Sequence, residues 1–426
     1  MLLIFLILPA VKQIKKVDYN YHTFPNGLKI IHKPVKGIVS HCGLMVETGS
    51  RDESGAENGL AHMIEHLIFK GTKKRKTWHI LSRIENVGGE LNAYTTKEET
   101  AIYASFLSPY YERTLELFSD VAFNSIFPEK EVEKEKEVII DEINSYNDSP
   151  AELIYDEFEE LIFAGHPLGR NILGNIENVQ SFSRSNIISF LKKHYGIQNM
   201  VIASVGDIEF SKLIGLTEKY FGCKKATTKA TSRSSFEHYT PFQKTINKKS
   251  YLSHLMVGST GYSRTDKRKT ALMLLNNLLG GPAMNSRLNM GIREKYGFAY
   301  QIESYYQPYS DTGVFSIYLG TDAKHIQKGI DLIIKELNLL RKKKIGTLQL
   351  DRAQKQFIGQ MAISYEASVN EMLSMARAHL YRNRVNTFED NINIINRLSA
   401  SDLLEVANEV FDTSRLSRLV FESKTN

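Results

Sequence analysis

His62, Glu65 and His66 stand in the stretch Gly59-Leu60-Ala61-His62-Met63-Ile64-Glu65-His66-Leu67 at a spacing that can build a catalytic metal site. On an α-helix, residues four apart share a face, so both imidazoles can address one ion, and Glu65 lies within a turn of the same point. Two imidazoles suit zinc, and a carboxylate that is not itself a ligand can take a proton from water held there. The acid stands just before the second histidine, the inverse of the order in which it follows the first. Two surface histidines and a surface glutamate on an ordinary helix would show the same spacing. The neighbours Leu60, Ala61, Met63, Ile64, Leu67, Ile68 and Phe69 argue against that reading, because polar groups on a mostly apolar helix need a reason to be buried.

Catalytic zinc usually takes three protein ligands and leaves one position open. A second helix is expected over Glu129 to Asn147, where acidic residues are dense. Such a run normally means a solvated face, and Glu131, Glu133 and Glu137 fit that meaning. Glu142 differs, because it follows Val138-Ile139-Ile140 and precedes Ile143 at the margin of an apolar face. Glu135 stands two turns earlier on the same side. One of the two carboxylates can bind a metal while the other supports the site from behind. Spacing alone does not select Glu142 from its neighbours.

The elements that must position these groups recur. Ser40-His41-Cys42-Gly43-Leu44-Met45-Val46 through Arg51 is echoed by Ser253-His254-Leu255-Met256-Val257 through Arg264, roughly 210 residues later. In each half an apolar strand leads through a Gly-containing loop to a long helical segment, and each half ends in a strand, Met200 to Val205 and Arg418 to Phe421. A shift of this length means a duplicated domain, since a solenoid repeat is shorter. Lys224 to Ser235, KKATTKATSRSS, has linker composition. The expected division is 1–18 as an N-terminal extension, 19–223 as the metal-binding domain, 224–235 as linker and 236–426 as the homologous second domain. Strands alternating with long helices imply layered α+β domains. Asn92-Ala93-Tyr94-Thr95 and Thr100 to Phe106 read as a pair of strands. Either they form a plain hairpin inside the sheet, or the first is an exposed edge near the metal that takes up a peptide as an added strand.

Composition sets the outer limits. A chain of 426 residues with 42% hydrophobic content is long enough for two or three domains with real cores. A net charge of +6, with lysines interleaved among acids, does not suggest nucleic-acid binding. Lys70 and Lys73-Lys74-Arg75-Lys76 form one basic knot, read as a solvated loop. Two distant cysteines, Cys42 and Cys223, exclude a disulfide framework. Met1 to Val11 is apolar but too short to span a membrane, and no basic residue precedes it as in a secretory signal. A cytoplasmic protein without a stable membrane span is expected, or a periplasmic or membrane-proximal one if that segment acts as a signal or anchor.

Several motifs resemble, in order, those of the pitrilysin/insulinase family of metallopeptidases. They are Glu47-Thr48-Gly49-Ser50-Arg51-Asp52-Glu53, the histidine helix with Phe69-Lys70-Gly71-Thr72, Gly88 to Thr95, Gly165-His166-Pro167-Leu168-Gly169, and Arg293 to Tyr300 after Leu279-Gly280-Gly281. The chain is most similar to the short members, such as the mitochondrial processing peptidase subunits and their bacterial relatives. The resemblance implies that His62, His66 and Glu142 hold one zinc ion per chain, that Glu135 supports them, and that Glu65 is the general base. It implies that Asn92 and Ala93 hold substrate backbone. Arg293 and Tyr300, which alone would pass for a solvated charge and a half-buried ring, become a pair gripping substrate and stabilising the oxyanion. The implied activity is zinc-dependent endopeptidase or oligopeptidase action on extended peptides, in a homodimer whose metal half faces the partner's second half. The alternative is a non-catalytic peptide-binding or scaffold subunit of the same fold.

Overall fold

The computed structural model describes residues 19–226 and 233–424. Residues 1–18 of the expected extension and residues 227–232 of the linker lie outside the described residues.

Strands β1 (Asn20–Thr23), β2 (Lys29–Pro34), β3 (Val39–Val46), β4 (Glu90–Thr95), β5 (Thr100–Leu107) and β6 (Met200–Gly206) form one sheet in the order β1-β2-β6-β3-β5-β4. A second sheet runs β7-β11-β8-β10-β9, built from β7 (Gln243–Lys248), β8 (Ser253–Gly261), β9 (Ala299–Pro308), β10 (Gly313–Thr321) and β11 (Ser417–Ser423). Side chains decide who is central. Every residue of β6, Met-Val-Ile-Ala-Ser-Val-Gly, is buried, as a strand covered on both faces must be. The polar β4 has no fully buried residue and takes the edge.

With β1 set aside, the two sheets share one order and one set of orientations. β2 with β6 and β7 with β11 are parallel, and every other pair is antiparallel. The echoing segments are the equivalent strands β3 and β8, and the architecture is α+β with helices on mostly antiparallel sheets.

Among the described residues, helices of the first half are α1 (Leu60–Leu67), α2 (Thr77–Glu85), α3 (Tyr111–Asn124), α4 (Glu129–Asn147), α5 (Pro150–Ile162), α6 (Ile176–Ser181), α7 (Arg184–His194) and α8 (Phe210–Phe221). The second half has α9 (Lys269–Gly280), α10 (Ile326–Lys342), α11 (Thr347–Glu366), α12 (Ser368–Arg382), α13 (Phe388–Arg397) and α14 (Ala400–Val410). No helix among the described residues is long and apolar enough to cross a membrane.

One face of each sheet is covered by its own half's helices, and the other face by a helix from across the linker. Met372, Met375, Ala376 and Leu380 of α12 pack on Ile31, Met45, Val201 and Val205 of the first sheet. In return, Leu153, Ile154, Phe158 and Ile162 of α5 pack on Met256, Val314, Leu419 and Phe421 of the second. Each such side chain, fully buried, contributes about 1.5–3 kcal/mol, so the exchange ties the halves strongly. Gly43 allows α12 its close approach, since a Cβ there would stand 2.9 Å from the Met372 sulfur.

The seam between the sheets is ionic. Arg51, in the loop after β3, reaches Glu98 in the β4–β5 turn at 2.8 Å and Asp311 in the β9–β10 turn at 2.6 Å. Glu98 also accepts from the Ser310 backbone and hydroxyl, and Arg233 pairs with Asp52. Arg51 and Glu98 are almost wholly buried, at 2% side-chain exposure each, so their attraction is little screened.

Candidate metal centre

Helix α1 begins at Gly59, whose φ of +100° is left-handed and whose missing Cβ would otherwise meet the Leu173 carbonyl at 2.7 Å. No N-cap side chain closes the helix start. The buried Glu53 carboxylate does so instead, accepting from the backbone N–H of Ala61 at 2.7 Å and Gly59 at 3.0 Å and from the Asn58 amide. A negative charge at a helix N-terminus is favoured by the dipole. Burial nonetheless pushes the Glu53 carboxyl up to about 8, against the pull of those three donors. Leu60, Ala61, Met63, Ile64 and Leu67 fill the core, which fixes the roll of the helix and turns His62, Glu65 and His66 toward α4 and β4.

The two histidines meet one carboxylate. His62 Nε2 lies 3.8 Å and His66 Nε2 3.6 Å from Glu142 Oε2. Glu135, buried two turns back on α4, takes His66 Nδ1 at 3.2 Å and Lys70 Nζ at 2.7 Å. The order Lys70–Glu135–His66 fixes which imidazole nitrogen faces the cluster, the role carboxylates play behind metal-bound histidines. Glu142 is nearly half exposed and free to adjust, at 45% side-chain exposure. Burial, then the neighbouring His66, holds His62 down to about 4, so its ring is neutral at pH 7, and its buried Nδ1 has no hydrogen-bond partner among the described residues. Burial raises Glu65 above the usual carboxylate range, with Glu142 adding to it and Thr95 and His66 opposing.

These residues fit a zinc ion. Tetrahedral coordination with bonds near 2.0–2.2 Å sets donor atoms about 3.4 Å apart, close to the separations seen. The donor atoms of His62, His66 and Glu142 all lie within 4.8 Å of one another. Glu65 is outside that set yet on the same face of α1, so it is available as a base.

Beside the cluster lies the free edge of β4, which α1 touches. Asn92 is exposed and Ala93 half-buried on that strand. Of the two readings of this hairpin, the edge is the observed one.

Arg293 and Tyr300 are elsewhere. Arg293 sits exposed in a π-helical turn, Asn289–Glu294. Tyr300 is 54% exposed at the start of β9, where the register passes from Gly320↔Gln301 to Thr321↔Ala299 and leaves the tyrosine unpaired in a bulge. Bulges re-aim side chains. Among the described residues, neither side chain bonds to the histidine–glutamate cluster of its own chain.

Two features escaped the sequence. Glu53 stood in a quoted motif without a role, and only an unusual helix start without Ser, Thr, Asp or Asn at the cap hinted at one. The basic knot is not simply a solvated loop. Lys70 holds Glu135, and Arg75 holds Glu116 and Asp120 of α3, while Lys73 and Lys74 are exposed. A basic run in sequence does not reveal that two of its members face buried acids.

Comparison with known proteins places the chain in a family. Residues 30–176 match the family model described as insulinase (peptidase family M16), and residues 181–357 match that of the peptidase M16 inactive domain. The chain is 32% identical over 392 residues to a Bacillus subtilis protein named as an uncharacterized zinc protease, YmxG, covering 92% of this chain and 95% of that one. It is 30% identical over 410 residues to a Rickettsia bellii protein named as an uncharacterized zinc protease, with 95% and 98% covered. A crystal structure of a Helicobacter pylori protease superposes with a TM-score of 0.88 at 25% identity, over 95% of this chain and all 100% of that one. A Pseudomonas fluorescens peptidase M16 inactive domain gives the same TM-score, 0.88, at 20% identity and so shares the fold.

Proposed function

Because this chain belongs to the insulinase family of peptidases, peptidase family M16, we propose that it is a zinc-dependent endopeptidase or oligopeptidase acting on extended peptides. The observation that carries the reading is the convergence of His62 Nε2 and His66 Nε2 on the Glu142 carboxylate, with Glu65 left over on the same helix face. His62, His66 and Glu142 would hold the ion, and a zinc ion there supplies Lewis-acid polarisation and a lowered pKa for water. Glu65, raised by burial, is matched to taking a proton and returning it to the leaving amine. Glu135 and Lys70 keep the His66 ring in one orientation.

Substrate is held by its backbone. The edge of β4, unpaired among the described residues, can add a peptide as a further strand, with Asn92 and Ala93 against it, which fixes a scissile bond while reading little side-chain sequence. Arg293 and Tyr300 complete the site from a second copy of the chain. Both side chains are exposed and, among the described residues, neither has a side-chain partner, which supports this, as does the bulge at Tyr300. A two-fold homodimer with two such composite sites would place a guanidinium and a phenol where negative charge develops on the carbonyl oxygen.

The test is to incubate the purified protein with a mixed peptide library, with and without chelator, and map the cuts by mass spectrometry. Cleavage that a chelator stops and zinc restores is the expected result. A zinc-loaded protein that cuts nothing would leave only the scaffold alternative.

A further inference from the structure

Helices α9, α11, α12 and α13 line most of a half-open pocket of about 270 Å³ in the second half, apart from the histidine cluster. Its wall carries four cations, Arg264, Lys269, Arg377 and Arg382. Arg377 has a carboxylate partner of its own, donating to Glu99 at 2.6 Å. Arg264 reaches Glu98 at 3.3 Å, but Glu98 already pairs with Arg51 at 2.8 Å, and Arg264 Nη1 is buried with no hydrogen-bond partner among the described residues. Among the described residues the Lys269 ammonium donates to the Arg264 carbonyl alone. Among the described residues no carboxylate pairs with Lys269 or with Arg382, which stands at the mouth. Burial, with Arg382 and Arg264 alongside, holds Lys269 down to about 8.

Cations gathered in a half-buried cavity repel one another and lose hydration, which costs stability unless an anion joins them. A singly charged carboxylate would leave most of the charge uncompensated. A phosphoryl dianion has enough oxygens for a guanidinium fork, an ammonium and neutral donors such as Asn391 together. The rest of the wall includes Phe357, Tyr365 and Ile394, which suit an apolar body. We propose that this cavity binds a phosphate monoester with a small apolar or aromatic body, its phosphoryl group seated among Arg264, Lys269 and Arg382. The inference does not depend on the peptidase reading.

Titration calorimetry on the zinc-loaded protein tests it, with phenyl phosphate, inorganic phosphate and benzoate as probes. Phenyl phosphate should bind about tenfold or more tighter than either of the others, and Lys269→Met and Arg382→Met should each weaken it by about tenfold, the scale of one charge-assisted hydrogen bond. Lys269→Arg, which keeps the charge, should retain binding, and melting curves establish that each variant is folded. Absence of heat with phenyl phosphate at millimolar concentration overturns the proposal. So does unchanged affinity in both methionine variants, which would put the anion elsewhere, at the zinc for instance. Benzoate binding as tightly would remove the charge argument, and inorganic phosphate binding as tightly would remove the organic ligand.

Discussion

The two halves of this chain share a strand order and differ in chemistry. After β3, Arg51 leads toward α1, which carries two histidines and a glutamate. After the equivalent β8, Arg264 leads toward α9, Lys-Thr-Ala-Leu-Met-Leu-Leu-Asn-Asn-Leu-Leu-Gly, which has no metal-ligating side chain. Arg51 is paired with both Glu98 and Asp311, whereas Arg264 Nη1, buried beside a cavity, has no hydrogen-bond partner among the described residues. Each half also covers the other's sheet, α5 with aromatic and aliphatic bulk and α12 with methionines and a buried histidine, His379. A duplicated backbone therefore constrains where loops and helices go, but not what they do. The histidines and glutamate stand on one copy, and the equivalent helix of the other copy carries none of them.

The largest expected effect is on the chemical half. Glu65→Gln keeps the shape and the histidines, so zinc should stay while peptide hydrolysis falls about a hundredfold to ten-thousandfold, the scale of a general base. Full activity with unchanged zinc would take Glu65 out of the mechanism. The same variant probes the division of labour between halves. Mixed with Tyr300→Phe protein under conditions of verified subunit exchange, it should regain activity, since a mixed dimer holds one intact composite site. Activity that stays at the level of the separate variants means the tyrosine acts within its own chain.

The arginine contrast comes next. Arg51→Met takes the nearest cation from buried Glu98 and from Asp311 and should cost about 3–5 kcal/mol in chemical denaturation. Arg264→Met should cost clearly less, because its Glu98 contact is longer and its free nitrogen loses nothing. Equal losses would mean that the two loops are equivalent after all.

Within α4 the effects are graded. Glu142→Gln should lower zinc occupancy, measured by metal analysis of purified protein. Glu135→Gln should lower activity with a modest loss of metal, as supporting residues do. Glu137→Gln, exposed on the far face, should do neither. Equal zinc in all three variants would sink the ligand assignment.

The smallest effect separates the exchanged helices. Among the described residues neither ring nitrogen of His379 has a close hydrogen-bond partner; the ring lies against Tyr21, and burial first, then Lys29, holds it down to about 4 against the opposing pull of the Asn383 backbone. Its folded value is below the unfolded one of about 6.5, so the stability it contributes is present above pH 6.5 and is lost as pH falls through about 4. His379→Phe should therefore flatten the loss of melting temperature between pH 6.5 and 4 relative to the parent. A parallel decline in both proteins would show that this histidine is not a source of it.

The sequence by itself determined much of what depends on near neighbours. Helical period put His62, Glu65 and His66 on one face, the full run of α4 followed from local pattern, and the recurrence of Ser40–Arg51 at Ser253–Arg264 exposed the duplication. It also placed Glu135 and Glu142 on one side of a helix, yet needed a family resemblance to choose between them. Tertiary structure decided the rest. It made Lys70 a partner of Glu135, set Arg51 against Asp311 across 260 residues of chain, and brought Arg377 to Tyr94 across 283. It also sent α5 and α12 to each other's sheets. Such contacts leave no periodic trace, because the chain closes them through packing between elements whose apolar faces look the same from either half.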